Sequence, residues 1–159
     1  MRWLDALEIT AVLGSGVVAG IFFTFSNFVM PALGGLPKAQ GVAAMQAINI
    51  TVINPAAMLA MFGTGILFIA TTILALIQNE HAMAWLYLAG AVLYVVGCLG
   101  TTIAGNVPLN ERLAKVDPQT NEASELWGVY LKRWTFFNTL RTVASALACI
   151  CYAYLLILS

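Results

Sequence analysis

Arg141 sits inside an apolar stretch, Lys132 to Leu158, seven residues after Trp134 and three after Asn138. An arginine held in hydrocarbon costs about 2.5 kcal/mol or more, so its guanidinium should face the inside of a bundle. Trp127, Tyr130, Trp134, Asn138 and Arg141 follow one another at spacings of three, four, four and three, which puts all five on one face of a helix. Along that helix Arg141 lies about 10 Å beyond Trp134. A cation, amide donors and aromatic rings on one buried face suit an anion or an electron-rich oxygen. The same residues also fit a structural role, because arginine can snorkel and asparagine can bond to helix carbonyls.

The elements that must position this stripe are membrane helices. The chain of 159 residues is 61% apolar and only 9% charged, with a mean hydropathy of +0.89. Soluble domains are nearer a quarter charged. Four stretches are long enough to cross a bilayer, at about 4–30, 55–77, 82–104 and 134–158. The expected fold is all-α: one domain over residues 1–159, a four-transmembrane-helix antiparallel bundle. "AQGVAAMQAINITVIN" adds a short interfacial helix between spans one and two. Spans two and three are joined only by "QNEH" and form a tight hairpin. The start of the chain reads as a retained first span rather than a signal peptide, since Asp5 and Glu8 interrupt it and the uncharged run continues to Pro37.

Antiparallel spans bring scattered polar residues to one depth. Thr24, Ser26 and Asn27 end span one, and Asn54 begins span two. Thr101, Thr102 and Asn106 end span three, while Asn138 and Arg141 lie early in span four. Gln46 and Asn49 on the first connection, and Asn110 on the second, belong to the same end. Spans two and four also begin there, so their positive N-terminal ends add to Arg141. The long connections and their flanks carry Lys38, Arg112, Lys115, Lys132 and Arg133, against Arg2 alone on the other side. The positive-inside rule therefore puts the connections in the cytoplasm and both termini outside.

Simpler roles are expected for several residues. Asn54 before Pro55 reads first as a helix cap. Pro108 should help stop span three, and Asp117 or Asn121 should cap span four. Glu8 reads as an interfacial first-turn residue, and Ser26 and Thr24 as bonded to their own backbone. Gly16/Gly20, Gly97/Gly100 and Ala144/Ala148 form small-residue faces for close packing. Cys98, Cys149 and Cys151 lie in apolar runs and read as packing residues. His81, the single histidine, reads as a loop residue; no His/carboxylate cluster, phosphate loop or nucleophile motif is present. No cofactor or metal is predicted. The neutral net charge, without a basic cluster, argues against nucleic acid.

"GIFFTFSNFVMPAL", "MQAIN", "NP", "NVPLN" and the stripe "W..Y...W...N..R" together resemble the anthrone-oxygenase-like family, small four-span integral membrane proteins. The resemblance extends over nearly the whole chain. It implies a four-helix membrane bundle and, by its characterised fungal members, oxidation of polyketide anthrones to anthraquinones with O2, with no cofactor firmly established. It marks Asn49, Asn54, Asn106, Pro108, Asn110, Trp134, Asn138 and Arg141 as motif positions. On this reading Arg141, Asn138 and Asn106 are the catalytic candidates. Trp134, Tyr130, Trp127, Asn110, Asn54, Asn49 and Asn27 are the candidates for holding a flat lipophilic phenolic substrate. On either reading the plasma membrane is the expected location; the alternative is a non-catalytic protein whose pocket holds a lipid headgroup, quinone or small anion, or which serves a protein partner. Membrane lipid and a lipophilic small molecule are the expected partners, and self-association is left open.

Overall fold

The structure, a computed structural model, describes residues 3–78 and 81–158, without the side chain of His81. Arg2, used in the charge asymmetry, Asn79 and Glu80 of the hairpin turn, and the imidazole of His81 therefore lie outside the described residues.

Four long helices carry the apolar runs: α1 (Trp3–Gly34), α3 (Pro55–Ile77), α4 (Ala84–Ala114) and α5 (Asn121–Leu158). Each is long and apolar enough to cross a membrane. The short helix α2 (Lys38–Thr51) lies between α1 and α3. No strand occurs among the described residues. Large apolar side chains cover the outside, among them Leu13, Leu59, Ile66, Leu88, Val96 and Ile150, whereas Glu8, Ser15, Thr71, Asn106, Asn138 and Arg141 are buried. A surface greasier than its interior is the arrangement lipid demands, and the chain is a multi-pass membrane protein.

The helix ends follow local chemistry, with two departures from expectation. The Asn54 side chain accepts from the Ala57 amide at 3.0 Å, capping α3 ahead of Pro55. For α5 the cap is Thr120, whose hydroxyl accepts from the Ala123 amide at 3.2 Å. Asp117 turns to the Gln119 amide, and Asn121 already lies inside the helix, too late to cap it. Pro108 does not stop α4, which runs on to Ala114. A π-helical turn, Thr102–Asn106, precedes it, and Phe25–Val29 precedes Pro31 in the same way. The wider turn accommodates the missing N–H without breaking the helix.

Close approaches set the bundle. A Cβ on Gly97 would lie 2.7 Å from the Ala144 Cβ, one on Gly14 would lie 2.2 Å from the Thr64 hydroxyl, and one on Gly105 would lie 2.7 Å from the Phe137 ring. Gly16 and Gly20 contribute less than their spacing promised: Gly16 meets Cys149 Sγ only at 3.9 Å, and nothing lies within 4 Å of a Cβ on Gly20. Gly20 is on the outer face of α1.

Two packed clusters result. One, at the end of the α3–α4 hairpin, is built on Phe68, Tyr87, Tyr94 and Tyr152. The other, at the end of the two long connections, is built on Met45, Leu113, Trp127, Tyr130 and Trp134. Glu8 belongs to the hairpin end and is no interfacial residue. It is fully buried and accepts a hydrogen bond from the Tyr87 hydroxyl, because α1 packs it inward against α4.

Candidate functional site

Arg141 is 5% exposed, and its partners are neutral. Nη2 donates to Asn138 Oδ1 at 2.7 Å and Nη1 to Thr102 Oγ1 at 3.3 Å. The guanidinium carbon lies 4.0 Å from the centre of the Phe22 ring and 5.3 Å from that of Trp134. Both rings offer a negative π-face to the cation. Nε is buried with no hydrogen-bond partner.

Asn138 is fully spent in holding this arrangement. Its Nδ2 donates to the Phe22 carbonyl at 2.6 Å and to Ser26 Oγ at 2.7 Å, while its Oδ1 receives Arg141. Ser26 does not fold back on its own helix as expected; it also pairs with Thr139 Oγ1 at 3.0 Å. The π-helical Phe25–Val29 shifts the register of α1, turning Ser26 toward α5 and leaving Asn27 exposed.

The Asn106 amide is oriented by its partner. Nδ2 donates to the Trp134 carbonyl at 3.1 Å, a bond that only the nitrogen end can make. Oδ1 is therefore the other end, buried and without a donor. A buried acceptor left so costs about 1–3 kcal/mol.

A third group fixes the aromatic face. Asn110 Oδ1 accepts from the Tyr130 hydroxyl at 2.7 Å and from Trp134 Nε1 at 2.8 Å. Asn49 Nδ2 reaches the same hydroxyl at 3.4 Å. Trp127, Tyr130 and Trp134 stack in sequence, with centroids 5.6 and 6.2 Å apart and planes within 16° and 20°.

These groups surround a cavity of about 310 Å³ between α1, α2, α3, α4 and α5. Arg141, Asn106, Asn110, Asn49 and Trp134 line it, together with Thr102 and a largely apolar wall that includes Phe22, Phe25, Met45, Ile48 and Met58. Of the remaining candidates, Asn138 and Tyr130 stand behind the lining and bond to residues in it. Trp127 packs deeper, under Gly41. Asn54 is an exposed cap, and Asn27 faces outward. The sequence stripe therefore divides into a lining pair, Trp134 and Arg141, and three supports.

Phe22, Met45, Ile48 and Met58 were missed by sequence reasoning. They are apolar residues in apolar segments, and no spacing separates a cavity wall from ordinary packing. Thr102 carried a weak signal, a hydroxyl at the same end of span three. Among the described residues no group of three or more His, Cys, Asp or Glu could hold a metal ion.

No curated protein and no solved structure matches the chain. A family model for anthrone oxygenase matches residues 52–151. That range takes in α3, α4 and most of α5, with Asn106, Asn110, Trp134, Asn138 and Arg141, and leaves out Phe22 and Asn49. It spans well over half of the sequence, and on it rests the assignment: the chain belongs to the anthrone oxygenase family.

Proposed function

We propose that the cavity oxidises a flat, lipophilic phenolic or polycyclic substrate with O2. The observation that supports this best is Arg141: a buried guanidinium held by Asn138 and Thr102 against the rings of Phe22 and Trp134, on a residue that lines a largely apolar cavity. In an anthrone, loss of a ring C–H proton leaves an anion whose charge rests largely on oxygen. A preorganised cation in a low-dielectric site stabilises that oxyanion, and the electron-rich ring reacts with O2. Overall the methylene becomes a carbonyl. One oxygen atom enters the ring and the other leaves as water, so the four electrons lost by carbon are those gained by O2. Trp134 supplies a face for stacking, and Asn138 is a positioning residue for Arg141.

The cationic residues near the connection end, Lys38, Arg112, Lys115, Lys132 and Arg133, favour a cavity in the cytoplasmic-side leaflet with both termini outside. Terminal-tag accessibility in intact cells checks this, and a protected tag would reverse the orientation.

The activity is tested by O2 uptake with an anthrone, comparing wild type with Arg141→Ala. Uptake in wild type and its loss in the variant is the expected outcome; equal rates would remove Arg141 from the mechanism. The same unpaired cation also supports a second reading, a non-catalytic site for a lipid headgroup, quinone or small anion. Mass spectrometry of the gently purified protein would then show that ligand, with no turnover.

A further inference from the structure

Trp134 fixes how two amides on the cavity wall are turned. An indole N–H only donates, so the Asn110 atom 2.8 Å from Trp134 Nε1 is the carbonyl oxygen. The Tyr130 hydroxyl, 2.7 Å from that same oxygen, must also donate to it. The Tyr130 oxygen is then left to accept, and the Asn49 atom facing it at 3.4 Å is Nδ2. This relay spends Asn110 Oδ1 and Asn49 Nδ2 and leaves over the other end of each amide. Asn110 Nδ2, a donor, and Asn49 Oδ1, an acceptor, have no hydrogen-bond partner among the described residues. Both residues are half-buried and line the cavity. Both atoms keep accessible surface, whereas Asn106 Oδ1 and Arg141 Nε are sealed.

We propose that Asn49 and Asn110 form a second polar subsite of the cavity, which binds a phenolic hydroxyl on the edge of the ligand remote from Arg141. This rests on the reading of the cavity as a site for a flat aromatic. The two amides share the Tyr130 oxygen, so their free ends border one stretch of wall. A phenolic hydroxyl matches that stretch with a single atom, donating to Asn49 Oδ1 and accepting from Asn110 Nδ2. A methyl ether or a quinone carbonyl only accepts, and sets a lone pair against Asn49 Oδ1. A bare ring leaves both amides unpaired. Polar groups left without partners by the wrong ligand are what make such a site selective. On α4, Asn110 lies eight residues beyond Thr102, the partner of Arg141, roughly 10 Å along the axis. Trp134 links the two levels, with Nε1 on Asn110 and its ring beside the guanidinium. A fused aromatic lying along that ring reaches both. The hydroxyl takes no part in the oxidation and passes unchanged into the product, so the pair governs which aromatic is accepted, not its release.

The test compares 6-methoxy-2-naphthol with 2,6-dimethoxynaphthalene, which share a ring and one ether and differ by O–H against O–CH3. Binding to the detergent-solubilised full chain is measured calorimetrically without O2, with partition into empty micelles subtracted. Wild type should favour the naphthol by roughly fivefold, the size of one net hydrogen bond. Asn49→Leu, similar in volume and without an acceptor, should bring the two within about twofold by weakening the naphthol. An unchanged ratio in that variant overturns the proposal, because a preference set by the extra methyl would survive the substitution. Asn49→Ala repeats the comparison should the leucine variant not fold. Equal binding of both compounds by wild type sinks the proposal and leaves the oxidation reading standing. Binding of neither also sinks it, and absence of anthrone-dependent O2 uptake would then remove the oxidation reading as well.

Discussion

The two ends of the bundle bury polar groups in different ways. At the hairpin end the Tyr152 hydroxyl meets Thr71 Oγ1 at 2.7 Å, Thr72 Oγ1 at 3.4 Å and the Phe68 carbonyl at 3.2 Å. Its ring packs edge-on against Phe68 and Tyr87 at 4.3 and 5.7 Å. Space there is filled by aromatic rings, and these hydroxyls are partnered. At the connection end Asn106 Oδ1 and Arg141 Nε are unspent, and both residues border a cavity. Burial of polar groups does not by itself make a site, because a satisfied network rigidifies a core. What marks a candidate site is a residue that keeps an unspent polar atom and also borders a void. Trp127 Nε1 shows the limit of the rule: it too is buried and unpartnered, yet Trp127 lies away from the cavity wall.

This contrast can be broken most directly at Arg141. Arg141→Leu should lower anthrone-dependent O2 uptake by about 100-fold or more, with the melting temperature in detergent little changed, since an apolar replacement for a buried charge is often neutral in stability. Unfolding of the variant would instead make Arg141 structural. The converse change is Gly90→Val at the hairpin end, where a Cβ would come within 2.6 Å of the Tyr152 ring. Overpacking should cost roughly 1–3 kcal/mol, read as a lowered melting temperature, while uptake per folded molecule stays at the wild-type value. A loss of turnover matching that of Arg141→Leu would show that the two ends are not separate.

Smaller effects sharpen the division. Asn138→Leu removes the Nη2 acceptor of Arg141 and two bonds to α1. It should lower kcat by about tenfold, more than it changes KM, because Arg141 is misplaced rather than lost. A change in KM alone would put Asn138 in substrate binding. Tyr152→Phe should be the mildest. It removes the hydroxyl shared with Thr71 and Thr72, costs about 1 kcal/mol of stability, and leaves O2 uptake unaltered; altered uptake would tie the hairpin end to the chemistry.

Helix number and placement could be read before any coordinates, because membrane spans are written in local composition. The Asn54-Pro55 start of α3 and the tight α3–α4 link were equally plain. The ends of α4 and α5 were less so. Pro108 looks like a stop, yet the preceding π-helical turn carries the helix through it, and Thr120 takes the cap that Asp117 and Asn121 were expected to provide. Glu8 near the start of a span resembles an interfacial residue. Its burial comes from how α1 packs against α4, which its own segment does not record.

For the site, sequence alone determined the stripe on α5 and put Asn138 beside Arg141, since residues three apart on a helix are neighbours whatever surrounds them. It also determined that asparagines from several spans share one end, because antiparallel spans map order onto depth. Tertiary structure decided the rest: Phe22 over the guanidinium, Thr102 beneath it, Asn27 and Asn54 away from the cavity, and Trp127 behind it. It also decided which end of the Asn106 amide is spent. An amide carries a donor and an acceptor on one short side chain, and only the carbonyl of Trp134, 28 residues away, sets which of the two is left unpaired.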